Sequence, residues 1–176
     1  MRLAKAAPSD PDLMEKASAL AKRAVANHER AMREMIGQMT REPDEAAPVE
    51  VGALIDDVLR FLGSDMAARQ ITTRISRDGD LRVRARKGPL QRVLLSLITL
   101  QIDAAAPGGE LRIRLEHVDG ATQIMMASTV PVEAAANAGP REIVLESARR
   151  VAQTEGGRLS IGAGSGELTL AIPDGP

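Results

Sequence analysis

Leu90-Gln91-Arg92-Val93-Leu94-Leu95-Ser96-Leu97-Ile98-Thr99-Leu100-Gln101-Ile102-Asp103-Ala104-Ala105 is the stretch on which the fold turns. Its pattern predicts a helix over residues 89 to 105, closed by the breaker sequence Pro107-Gly108-Gly109.

Downstream, the sequence predicts a strand at 110 to 117, a turn at Asp119-Gly120 and a strand at 121 to 128. A loop through 129 to 139 leads to a helix at 140 to 155, then Gly156-Gly157 and strands at 158 to 162 and 167 to 172. Upstream lies a helix near 52 to 68, carrying Leu54, Ile55, Val58, Leu59 and Leu62. Between it and the helix at 89 a second hairpin is expected, with strands 70 to 76 and 81 to 86 turning through Asp78-Gly79-Asp80. Leu81, Val83 and Ala85 alternate with Arg82, Arg84 and Arg86, so one face is expected to be buried and the other cationic. Helices interspersed with hairpin-linked strands predict an α+β fold, a two-layer α/β sandwich.

The N-terminal part has a different pattern. After residues 1 to 11, read as a flexible N-terminus, residues 12 to 42 predict one long helix capped by Asp10 or Asp12. Met14, Ala17, Ala21, Ala24, His28, Met32, Met35 and Met39 step by three or four and form an apolar stripe, roughly 45 Å long at the α-helical rise. No local partner follows before residue 50, so the stripe must pack on a second chain or fold back on the following domain, and dimerisation with a second chain is the expectation. The segment 43 to 49, with Pro43 and Pro48, reads as a linker, and 50 to 173 as the folded domain.

Composition narrows the classes. An apolar fraction of 44% supports a real core, and the absence of cysteine excludes disulfides and thiolate metal sites. The N-terminus has no apolar signal segment and no run reaches the ~18 residues of a membrane span, so a cytoplasmic protein without membrane contact is expected. A net charge of -1 and a single aromatic residue, Phe61, argue against nucleic acid.

The order of elements from Pro48 to Pro173 resembles the catalytic ATP-binding domain of sensor histidine kinases, one of the Bergerat-fold ATPases. Pro48-Val49-Glu50-Val51, the helix at 90 to 105, the tail Glu155-Gly156-Gly157-Arg158-Leu159-Ser160-Ile161 and Leu170-Ala171-Ile172-Pro173 carry the likeness. The resemblance implies a nucleotide site, and places Ser96 and Leu100 where the family has asparagines, the second of which ligates Mg²⁺. It places Ser128, Val130 and Val132 where the family has an aspartate that binds the adenine amino group and two glycines. Losing that carboxylate alone removes a bond worth ~1.5–3 kcal/mol, and valine resists the positive φ that glycine allows. Glu142 and Val144 stand at the glycines of the phosphate-cradling loop, and Glu142 would set a negative charge against a triphosphate. Asp103 alone keeps the family's identity. The resemblance therefore implies the fold without its cofactor: neither nucleotide nor metal is expected, and no catalysis.

His28-Glu29 has the look of a phosphoacceptor dipeptide, as in histidine phosphotransferases that relay phosphate to or from response regulators. Its place on the apolar stripe fits better a polar residue that fixes helix register. His117 reads as a surface residue beside Asp119. Arg69, Arg74, Arg77, Arg82, Arg84, Arg86, Lys87 and Arg92 form a basic segment, read as a solvated sheet edge that blocks strand pairing, with an acidic protein partner as the alternative. The expectation is a dimeric regulatory pseudokinase of bacterial two-component signalling, partnered by a response regulator, a kinase or another regulator.

Overall fold

The computed structural model describes residues 45–129, 138–162 and 166–174, with the backbone alone at 138–140. The expected helix over 12 to 42 with His28, and the positions Val130 and Val132, lie outside the described residues.

The described elements follow in the order β1 (Ala47–Glu50), α1 (Val51–Ala68), β2 (Thr72–Arg77), β3 (Arg82–Ala85), α2 (Lys87–Ala104), β4 (Glu110–Val118), β5 (Ala121–Ser128), α3 (Ala138–Thr154), β6 (Arg158–Ile161) and β7 (Leu168–Pro173). Five strands form the main sheet in the order β2-β4-β5-β7-β6, and β1 and β3 form a separate two-stranded sheet. The α+β two-layer sandwich expected from the sequence is the fold observed.

The two-residue period explains which face of the main sheet is covered. Leu111, Ile113 and Leu115 of β4, Ile124 and Met126 of β5, and Leu168, Leu170 and Ile172 of β7 are all buried. Their neighbours Arg112 and Arg114 are exposed on the opposite face. The helices cover the apolar face, with Leu54, Ile55, Val58 and Leu62 from α1, and Leu145, Ala148 and Ala152 from α3. Between them, α2 buries Leu90, Val93, Leu94, Leu95, Leu97, Ile98 and Ile102. That is too many for one stripe, so α2 is enclosed by its neighbours on more than one side.

The hairpin β4–β5 forms where expected. Its turn residues Asp119 and Gly120 have φ of 52° and 75°, the positive pair that a two-residue hairpin turn requires. The second expected hairpin does not form. β2 instead pairs in parallel with β4, setting Ile75 against Ile113, and β3 pairs antiparallel with β1, setting Val49 against Val83. Both pairings match apolar residue to apolar residue, and Glu50 lies opposite Arg82. The Asp78-Gly79-Asp80 turn thus carries the chain from one sheet to the other. β1 also occupies part of the segment read as a linker, because Val49 is buried and belongs to the domain.

Helix α3 ends in a glycine cap. Gly156 has φ of 73°, its amide donates to the Gln153 carbonyl at 3.0 Å, and the Gly157 amide donates to the Ala152 carbonyl at 2.7 Å. A Cβ on Gly157 would stand 2.6 Å from the Ala171 carbonyl oxygen, so only glycine lets the chain leave α3 this close to β7.

Candidate functional site

In this topology the C-terminal half of α2 lies beside the end of β5 and the segment leading into β7. Three residues from these elements meet there. The Gln101 Nε2 donates to the Gly166 carbonyl at 2.9 Å, and the Ser128 hydroxyl donates to Gln101 Oε1 at 3.3 Å. Gln101 is only 1% exposed, and a buried amide must find such partners. Sequence reasoning missed it. The signal was present, since Gln101 continues the spacing Leu90, Leu94, Leu97 into the buried face, where a polar residue requires a partner.

The positions singled out from the sequence separate into engaged and idle groups. Ser128, the last residue of β5, spends its hydroxyl on Gln101. Ser96 donates to the Arg92 carbonyl of its own helix at 2.9 Å. Leu100 is half-buried. Asp103 is exposed and bonds to Arg69 Nη1 at 2.9 Å, with Asp65 3.5 Å from the same guanidinium. Glu142 is exposed and Val144 half-buried on α3. The polar contacts in this region run through Gln101 and Ser128.

A second polar tie joins the two helices that frame the region. Glu155, one residue past α3, accepts from the Arg86 backbone amide at 2.9 Å and from Arg86 Nε at 2.8 Å; Arg86 Nη2 is also 2.8 Å away. Arg86 is the N-cap residue of α2, whose first turn has no acidic residue of its own. The carboxylate therefore arrives from elsewhere in the chain at the positive end of the helix dipole. Its side chain is 5% exposed, so this is a largely desolvated pair.

The basic segment is not one surface. Arg69 is held by Asp65 and Asp103, Arg77 pairs with Asp56, and Arg86 is committed to Glu155. Arg82 and Arg84 are exposed on β3 in the small sheet, whereas Arg74 lies opposite Arg112 in the β2–β4 ladder. His117 is exposed as expected, but its partner is Asp174 at 3.0 Å and not Asp119. Thr122, fully buried, donates to the other oxygen of Asp174 at 3.2 Å and pins the chain end to the hairpin. Among the described residues, no helix is long and apolar enough to cross a membrane.

No protein-family model matches the chain, and no curated protein matches it significantly. Solved structures do. The catalytic domain of the histidine kinase ThkA aligns with a TM-score of 0.65 at 19% identity, covering 75% of this chain and 99% of that domain. The histidine kinase AdeS of Acinetobacter baumannii aligns with a TM-score of 0.65 at 15% identity, covering 97% of this chain and 88% of its own. ThkA solved in complex with the response regulator TrrA aligns with a TM-score of 0.66 at 20% identity, covering 96% and 53%. At such identities the likeness is one of fold.

Proposed function

We propose that this chain, built on the fold of histidine-kinase catalytic domains, is a regulatory protein of two-component signalling that does not bind nucleotide. The observation that carries the reading is Gln101. It lies beside Leu100, the position at which the family resemblance expects the ligating asparagine, and ties Ser128, which stands for the adenine-binding aspartate, into a contact within the chain. No oxygen is offered at position 100, and the hydroxyl at position 128 is already spent. Regulation then works by binding, as a dimer through the helix expected over 12 to 42, with a response regulator or a kinase as partner. Titration calorimetry with Mg-ATP is expected to show no binding at concentrations up to the millimolar range, and a micromolar Kd would overturn the reading. Light scattering on the same sample is expected to give twice the chain mass.

A second reading is a histidine phosphotransferase acting through His28. It draws support from the neighbour solved with its response regulator bound, since a chain of this fold is there a partner of such a protein. It requires that a phosphorylated response regulator label this chain, and that His28→Ala remove the label.

A further inference from the structure

The face of the main sheet turned away from the helices has a composition that the nucleotide reading does not use. The strand pairing sets Arg74 opposite Arg112, and Ser76 opposite Arg114, on this face. The next strand places Ala127 opposite Arg112 and Met125 opposite Arg114. These residues of β2, β4 and β5 line an open groove of about 380 Å³. Two arginines directly opposed in a ladder repel one another, a local cost that an interposed anion removes.

The carboxylates nearby leave the centre of this face cationic. Glu116 holds Arg114 at 2.9 Å from one end of β4, and Glu110 at the other end stands 3.9 Å from Arg112, too long for a hydrogen bond. Arg74 has no ion pair among the described residues, and Arg112 and Arg114 are well exposed, at 56% and 66% of their side chains. Glu167, just before β7, also lines the groove and is its one acidic lining residue among the described residues.

β2 also offers backbone. It is terminal in the main sheet, and the amides of Thr72 and Asp78 donate to the Gly109 and Leu115 carbonyls on the β4 side. By the two-residue period, the amides of Thr73, Ile75 and Arg77 face outward, and no described strand pairs with that edge. A second copy of the chain is a poor occupant, because pairing β2 with β2 brings strands bearing Arg74 and Arg77 together. Nucleic acid is disfavoured by the lack of any aromatic residue lining the groove and by a net charge of -1.

From the free edge and the arginines on the two strands beside it, we infer that this face docks an extended acidic segment of a partner protein. The segment adds alongside β2 and sets alternate carboxylates on Arg74, Arg112 and Arg114. This adds a binding surface to the adaptor reading without depending on it, since a chain that bound Mg-ATP would still present the same face.

The test is fluorescence anisotropy of the full chain with a short labelled peptide of alternating glutamate and valine. Saturable binding is expected, weakened roughly ten- to hundred-fold in Arg74→Glu/Arg112→Glu, the loss of two charge-assisted hydrogen bonds. Arg82→Glu/Arg84→Glu, on the small sheet, is expected to bind as the parent does. If circular dichroism shows that the charge reversal unfolds the chain, Arg74→Gln/Arg112→Gln serves, with a smaller loss in the same direction. No binding, equal binding by the Arg74/Arg112 variant, equal binding of a lysine–valine peptide, or tighter binding of an oligonucleotide would each overturn the inference.

Discussion

Glu155→Ala is expected to destabilise the folded domain by about 3 kcal/mol, the lower end of the cost of breaking a buried ion pair. The Glu155 side chain is 5% exposed and that of Arg86 is 30% exposed, so the arginine left behind regains part of its hydration. What it does not regain is a partner for the Arg86 backbone amide, which sits at the N-terminus of α2. An unsatisfied donor there costs about 1–3 kcal/mol. Glu155→Gln keeps the shape and one acceptor oxygen, and is expected to lose less than half as much. Urea unfolding measures both, and a change below ~0.5 kcal/mol in Glu155→Ala would show that the pair is not structural.

Ile98→Ala is expected to cost about 3 kcal/mol, within the 2–5 kcal/mol range for truncating a fully buried aliphatic side chain. Ile98 is 0% exposed on α2, enclosed among the helices and the sheet, so the cavity has little room to collapse. The informative comparison is Leu100→Asn on the same helix. Leu100 is only half-buried, and restoring the amide there is expected to cost under ~1 kcal/mol. Calorimetry of Leu100→Asn is expected to show no recovery of Mg-ATP binding, because Gln101 and Ser128 remain bound to each other. Equal losses of stability in the two variants would mean that Leu100 belongs to the core after all.

What was legible in the sequence was whatever is encoded locally. The β4–β5 hairpin was, because Asp119-Gly120 supplies the turn and the flanking strands alternate. So was the exit from α3, where Gly156-Gly157 marks the cap. The partners of β2 and β3 were not, because adjacency in sequence favoured a hairpin, while Ile75 found Ile113 far downstream and Val83 found Val49 far upstream. The candidate site divides in the same way. Ser96, Leu100 and Ser128 were found by their order along the chain, since the resemblance fixes order. Gln101 was missed because its partners, Ser128 and Gly166, lie on other elements. The Arg86–Glu155 tie was missed for the same reason, and the basic segment looked continuous because Asp56, Asp103 and Glu155, which engage its arginines, are distant in sequence.

The parallel ladder between β2 and β4 also bears on the order in which the domain assembles. β4 and β5 close through a two-residue turn and can zip as soon as both are made. β2 reaches β4 only across the whole of β3 and α2, so its pairing carries the entropy of closing that long loop. The edge strand is therefore expected to arrive late on the folding pathway, and local opening of the native sheet to begin there. The edge that offers its backbone for docking is also one whose formation is expected to come late.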